Sequence, residues 1–163
     1  MWKSLRYIFF LIITVVIGLE ILLRMFDPIG ISYLHEIHRY YKTMHSPDKR
    51  FAYTSKPNAE GRFQGVSVET NSRGFRGPET TTQKPDGMKR IMLLGDSVVF
   101  GWGVDQDHIF PALLQRSLDP TRECLEVIAF GANSWTTRTE YEFFREIGME
   151  FEPDLLVLFV NPN

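Results

Sequence analysis

The stretch "IMLLGDSVVFGWGV", residues Ile91–Val104, is the starting point because an apolar run in it leads directly into a Gly-Asp-Ser turn. The continuous apolar run is typical of a strand that is buried on both faces of a parallel sheet. Ser97 stands immediately after this strand. Two interpretations remain open at this point: an ordinary strand exit with a helix cap, or a nucleophilic serine held where a helix begins.

Strand-like and helix-like segments alternate after this stretch. The segments "CLEVIAFG" and "PDLLVLFVN" give further buried strands, and the predicted set is Lys89–Leu94, Leu125–Phe130 and Asp154–Val160. Strands that alternate with helices predict right-handed crossovers and an α/β domain with a parallel sheet. Ligands of such sheets bind at the carboxyl ends of the strands.

Two amphipathic helices are predicted between these strands. The segment "IFPALLQRSL" has Pro111 in its first turn and Asp107 as a nearby cap. Its apolar face consists of Phe110, Leu113, Leu114 and Leu118. The segment "TTRTEYEFFREIGMEF" directs four apolar side chains toward the core: Phe143, Phe144, Ile147 and Phe151.

The residues at the predicted strand ends have the chemistry of an oxyanion site. Ser97 begins a new segment, where the free N–H groups and dipole of a helix N-terminus favour negative charge. The second strand leads into "GANSWTT", and the third leads to Asn163, whose side-chain amide donates hydrogen bonds. Phosphate-loop, dinucleotide and G-x-S-x-G motifs do not fit the glycine spacing around Ser97.

Composition excludes several classes of function. The net charge is −2 and no basic run is present, which argues against a nucleic-acid partner. The single Cys124 excludes an internal disulfide and a zinc site of paired cysteines. The histidines have no ligand spacing, so neither a metal nor another cofactor is predicted, and we interpret all four as scattered surface residues: His35, His38, His45 and His108.

The first 26 residues predict a membrane anchor. The run "YIFFLIITVVIGLEILL" is nearly all apolar and is flanked by Lys3, Arg6 and Arg24. A cleaved signal peptide is the alternative, but "EILLRMF" lacks the small residues of a cleavage site. A buried soluble helix fits less well, because the segment is apolar around its whole circumference. We expect a single-pass protein with a short cytoplasmic tail and a domain outside the inner membrane.

Residues 27–88 are predicted to form a juxtamembrane helix and an irregular extension. Apolar positions in "HEIHRYYKTMHSPDKR" are too sparse for a core element, so we expect a helix followed by a loop. A short hairpin is predicted around Gly61 and Gly65, with Phe63, Val66 and Val68 as its apolar residues. The segment "NSRGFRGPE" is rich in turn-forming residues, and "TTTQKPDG" is a polar linker.

Taken together, these blocks resemble the GDSL/SGNH hydrolase superfamily. "IMLLGDSVVFGWGV" is similar to its first block, "LEVIAFGANSWTT" to its second, and "PDLLVLFVNPN" to the strand that leads to its third. The segment "TNSRGFRGPE" and the N-terminal anchor resemble a membrane-attached bacterial subgroup. The resemblance implies a three-layer α/β/α, flavodoxin-like fold with a parallel sheet, of which residues 89–163 form the N-terminal part.

The resemblance also assigns roles to individual residues. It implies that Ser97 is the nucleophile and donates its own N–H to the oxyanion. Asn163 matches the block-three asparagine, which donates through its side chain. Ser134 stands where the family has a glycine, and its backbone N–H is the third donor. Asp96 is expected to shape the turn rather than act as an acid.

One departure concerns the general base. The family's general base is a histidine in a D-x-x-H block near the C-terminus, and no such block follows the third predicted strand. His108 is too close to Ser97 in sequence to swing back over it, so we do not assign it this role. We therefore expect the chain to be the N-terminal part of a longer open reading frame. The implied function is that of a serine esterase or acyltransferase acting on an acylated small molecule, lipid or polysaccharide. The alternatives are a non-catalytic, membrane-attached module of the same fold that binds or scaffolds, and an inactive fragment.

Overall fold

The computed structural model describes residues 2–26 and 32–161, and it has a mixed α/β architecture. Helix α1 comprises Trp2–Phe26, and none of its residues is buried. At about 1.5 Å per residue it is long enough for a hydrocarbon core of about 30 Å. Its most apolar window has a mean hydropathy of 2.5. Among the described residues, α1 is thus a helix long and apolar enough to cross a membrane.

We expect α1 to anchor the protein without cleavage. Membranes washed with alkaline carbonate should retain the protein at its full mass. Changing both Ile13 and Val16 to Arg should release it, because each arginine near the helix centre costs about 2.5–3.5 kcal/mol on insertion scales. Recovery of a soluble form that starts after Phe26 would show that the segment is a signal peptide instead.

Residues 33–69 form a helix and two hairpins. Helix α2 (Tyr33–Met44) leads into strands β1 (His45–Asp48) and β2 (Ala52–Ser55), which pair antiparallel. Strands β3 (Glu60–Phe63) and β4 (Val66–Glu69) form the second hairpin, which confirms the one predicted here. The loop expected after α2 is a hairpin, so that part of the prediction was wrong.

The connection between β3 and β4 shows why a hairpin forms there. Gln64 and Gly65 are its two central residues, and their φ angles are 49° and 80°. Two consecutive positive φ values are the signature of the turn whose twist matches that of paired strands. Glycine takes this conformation freely, so the sequence signal at Gly65 has a direct structural cause.

Helix α2 belongs to the core, contrary to expectation. Tyr40 and Met44 are fully buried, and they pack with Phe63, Val68 and Phe100. The prediction failed because a pair four residues apart already makes one apolar face, and Tyr40 was not counted as a core residue. The extension therefore packs onto the segment that follows Ser97.

The three predicted parallel strands are confirmed. Strands β5 (Lys89–Gly95), β6 (Leu125–Gly131) and β7 (Leu155–Leu158) lie in the order β6-β5-β7. Their register places Gly95 beside Gly131 and Leu94 beside Leu158. All three strands consequently end at the same edge of the sheet.

Three helices connect these strands: α3 (Ser97–Phe100), α4 (Phe110–Leu118) and α5 (Thr137–Glu146). Short 3-10 turns at Gln106–His108 and Gly148–Phe151 precede α4 and follow α5. Phe143 and Phe151 are buried against Phe130, with Phe144 and Ile147 beside them. The predicted core face of α5 and the following turn is therefore confirmed.

The prediction for α4 was wrong in two respects. Its N-cap is Ile109, and no side chain caps the helix, so Asp107 does not do so. Of the predicted apolar face, only Leu114 packs against the sheet cluster. The other three residues are 43%, 46% and 51% exposed: Phe110, Leu113 and Leu118. The helix packs on β6, and three of the four residues of the predicted stripe remain exposed.

Strand β7 leaves apolar surface uncovered. Within residues 32–161 it pairs only with β5. Leu155, Leu156 and Leu158 are exposed, although they lie in the strand itself. An exposed apolar edge is a surface on which a further strand pairs readily.

Candidate active site

The turn after β5 is built by Asp96. This residue is the N-cap of α3, and its Oδ1 accepts a hydrogen bond of 2.9 Å from the Val98 N–H. Asp96 is almost completely buried. Gly101 caps the C-terminal end of α3, and its φ of 77° lies in the left-handed region. As expected from the sequence, Asp96 shapes the turn that presents Ser97.

Helix α3, which begins at Ser97, is very short. It has four residues, and one turn carries little of the macrodipole that a longer helix provides. The helix dipole at Ser97 therefore gives little of the expected stabilisation of negative charge. What remains is the Ser97 N–H itself, which donates to no other residue that the structure describes.

The ends of the three parallel strands converge on Asp96. A Cβ atom on Gly131 would lie 2.9 Å from the Asp96 carbonyl oxygen, so the chain after β6 passes directly against the turn. Beyond β7, Asn161 donates from Nδ2 to Asp96 Oδ2 at 3.3 Å. Asn163 lies outside the described residues, and its arrival at this edge stays a prediction.

Ser134 follows β6 in an unusual conformation. Its φ is 63°, in the left-handed region that glycine occupies most readily. The backbone at Ser134 therefore has a glycine-like shape although the residue is serine. Ser134 is exposed, and its N–H donates to no described residue. Its hydroxyl lies 3.0 Å from the Tyr41 hydroxyl.

Arg76 holds the segment that follows Ser97. It was not among the residues predicted from the sequence. It is buried, and its guanidinium donates to the carbonyl oxygens of Phe100, Gly101 and Val104. Asn71 shapes the preceding turn by accepting from the Phe75 N–H at 3.0 Å. The signal was present in "NSRGFRGPE", where an arginine stands among turn residues.

One histidine is not a surface residue. His45 is 7% exposed and stacks on Tyr53, with ring centroids 4.2 Å apart. Burial, followed by the charge of Lys56, lowers the pKa of His45 to about 4. The surface interpretation was wrong for His45, whereas His35, His38 and His108 are exposed.

Neither a base nor a metal centre is visible in the described part of the chain. There, no histidine, aspartate or glutamate side chain hydrogen-bonds to the Ser97 hydroxyl. The same residues contain no group of three histidine, cysteine, aspartate or glutamate side chains suited to a metal ion. Cys124 is exposed and unpaired.

Glu140 is a buried carboxyl close to this turn. It lies on α5 and is 2% exposed, and its Oε2 has no hydrogen-bond partner among the described residues. Burial, and then the charge of Asp96, raises the pKa of Glu140 from 4.5 to about 7. Both causes favour the protonated form of Glu140.

This carboxyl should make stability fall as the pH rises. Because the folded state holds the proton more tightly, its stabilising contribution is complete below pH 4.5 and is lost as the pH rises through about 7. Glu140→Gln should therefore stabilise the protein more at pH 8 than at pH 5, by on the order of 2 kcal/mol. Urea unfolding at both pH values measures this difference.

The exposed Glu146 provides the control for Glu140. Glu146→Gln makes the same chemical change at a side chain that is 41% exposed, so it shows what the loss of a surface carboxyl contributes at each pH. His45 titrates in the opposite sense, but it is present in both proteins and cancels in the comparison. An equal effect of Glu140→Gln at pH 5 and pH 8 would contradict the assignment.

Comparison with known proteins adds no identification. No family model matches the sequence, and no curated protein matches it either.

Proposed function

We propose that the chain is part of a membrane-attached serine hydrolase or acyltransferase of the GDSL/SGNH type, acting on ester bonds. One observation supports this most strongly: Gly131 at the end of β6 and Asn161 beyond β7 both lie against the Asp96–Ser97 turn that follows β5. This edge is where ligands of parallel α/β sheets bind. In this proposal, β5, β6 and β7 are the N-terminal part of a three-layer α/β/α domain.

The proposed chemistry is acyl transfer through Ser97. Its Oγ forms a bond to the ester carbonyl carbon, the ester C–O bond breaks, and the proton of the Ser97 hydroxyl leaves with the alcohol. Water or a sugar hydroxyl then attacks the acyl carbon, the bond to Oγ breaks, and the proton of the attacking group returns to Ser97. The oxyanion accepts hydrogen bonds from the N–H groups of Ser97 and Ser134 and from the Asn163 side chain. The free N–H groups of Ser97 and Ser134 support the first two donors.

The substrate in this proposal is an acylated small molecule, lipid or polysaccharide. Helix α1 supports a single-pass attachment, because it is apolar and unburied. The basic residues Lys3 and Arg6 favour a cytoplasmic N-terminus and a domain on the outer side of the membrane. We propose no cofactor.

A non-catalytic module that binds acylated ligands is the second candidate. Two observations favour it. No titratable side chain in the described residues contacts the Ser97 hydroxyl, and Ser134 adds a side chain where the resembled family has none. A serine without a base is a weak nucleophile at neutral pH.

A fluorophosphonate probe separates the two candidates, because it reacts with activated serines. We expect slow covalent labelling that maps to Ser97 by peptide mass spectrometry. Ser97→Ala should abolish the labelling, and Ser117→Ala, at an exposed position on α4, should leave it unchanged. Labelling of Ser97 no faster than of Ser117 would favour the binding module.

A further inference from the structure

Two tyrosines from the N-terminal extension hold the turn that contains Ser134. Tyr41, on α2, places its hydroxyl 3.0 Å from Ser134 Oγ. Tyr53, on β2, donates its hydroxyl to the carbonyl oxygen of Asn133. In the opposite direction, the Trp135 Nε1–H donates a hydrogen bond to the Tyr53 carbonyl oxygen at 3.2 Å. Residues 133, 134 and 135 are thus each bonded to the extension.

The conformation of this turn explains why such bonds are needed. Ser134 has a φ of 63°, which is costly for a residue with a side chain. Strained backbone persists where surrounding contacts determine it, and such places cluster at functional sites. Within the turn itself, the Trp135 N–H donates to the Ala132 carbonyl oxygen at 3.2 Å. The remaining restraints come from Tyr41 and Tyr53.

The two tyrosines are themselves held rigidly. Their ring centroids are 5.8 Å apart, and His45 stacks on Tyr53 at 4.2 Å. The Lys56 N–H donates to the Met44 carbonyl oxygen, which ties the end of β2 to the end of α2. Tyr40, the neighbour of Tyr41, is completely buried. Rigid neighbours are what a positioning role requires.

We propose that Tyr41 and Tyr53 are positioning residues that hold Ser134 in its left-handed conformation, with its N–H available to an acyl oxygen bound at Ser97. The proposal rests on the proposed function for its catalytic consequence, but the holding of the turn stands independently of it. In this proposal, the N-terminal extension contributes residues that position the site, in addition to connecting the membrane anchor to the domain.

The test uses the whole chain in mild detergent and two measurements. Hydrogen exchange of residues 131–136 reports the order of the turn, and the fluorophosphonate reports the reactivity of Ser97. Tyr41→Phe and Tyr53→Phe each remove one hydroxyl and keep the ring. Both should speed exchange in 131–136 and slow labelling about tenfold, less than the loss of about 10²-fold or more for deleting an oxyanion donor.

Glycine rescue distinguishes positioning from general stability. In the Tyr41→Phe background, Ser134→Gly should restore the labelling rate, because glycine adopts a positive φ without external restraint. Ser134→Ala in the same background should not. Tyr141→Phe is the matched control, since Tyr141 is 59% exposed on α5, and it should alter neither measurement.

The outcomes separate this proposal from the proposed function. Unchanged exchange in Tyr41→Phe and Tyr53→Phe overturns the positioning role, whatever the labelling shows. Faster exchange with no labelling of Ser97 in the unaltered chain supports the hold on the turn and overturns its catalytic consequence together with the proposed function. Slower labelling that Ser134→Gly and Ser134→Ala restore equally also overturns the proposal.

Discussion

The chain should hydrolyse p-nitrophenyl acetate thousands-fold more slowly than a serine hydrolase with a complete triad. Removing one triad member leaves only the catalysis that the oxyanion donors and binding supply, about 10³–10⁴ over water. Ser97 fits this situation, because its hydroxyl contacts no base within the described residues. The rate of p-nitrophenol release, compared between the unaltered chain and Ser97→Ala, measures this residual catalysis by Ser97.

A longer chain that carries a downstream D-x-x-H block should restore hydrolysis of short acyl esters. In that chain, Ser97→Ala should abolish activity again. Turnover of the ester by the 163-residue chain alone, at enzymatic rates that depend on Ser97, would contradict this expectation. A different proton acceptor would then have to be found among the residues present.

The second large effect is expected at the opposite end of the sheet. Arg90 is completely buried at the start of β5, and its Nε donates to Glu126 Oε2 at 2.8 Å. It also donates to the carbonyl oxygens of Thr82 and Phe151. Arg90→Met leaves the buried Glu126 with weaker compensation, so we expect a loss of about 3–5 kcal/mol in the free energy of unfolding.

Urea unfolding followed by tryptophan fluorescence tests this expectation. Arg145→Met is the control, because Arg145 pairs with Glu146 at the surface and its loss should cost less than about 1 kcal/mol. Changing Arg90 to Met and Glu126 to Leu together should recover part of the stability. A loss below about 1 kcal/mol in Arg90→Met would show that the buried pair contributes little.

The sheet could be predicted because its strands carry their signal locally. The runs at β5 and β6 are short, apolar and bounded by turn residues. Their alternation with helices such as α5 indicates a parallel sheet with right-handed crossovers. The face of α4 was misjudged because periodicity identifies an apolar stripe without specifying what covers it. The same limit applied to His45, whose burial depends on Tyr53 and not on its own neighbours in sequence.

The centre of the site was recognisable for the same local reason, since Asp96 and Ser97 stand in one short block. The residues around this centre could not be recognised from the sequence. Tyr41 and Ser134 are 93 residues apart in sequence, and Arg76 contacts Gly101 across 25 residues. Such contacts depend on how the extension packs on the sheet, and no spacing rule within a single element predicts them.

A crystal structure of the protein phosphonylated on Ser97 would show whether this edge of the sheet is an oxyanion site. We expect one phosphonyl oxygen to accept hydrogen bonds from the Ser97 and Ser134 N–H groups and from the Asn163 side chain, each at about 2.7–3.1 Å. A phosphonyl oxygen that none of these donors contacts would contradict the proposed site, as would an Asn163 more than about 15 Å from Ser97, too far for one acyl group to touch both.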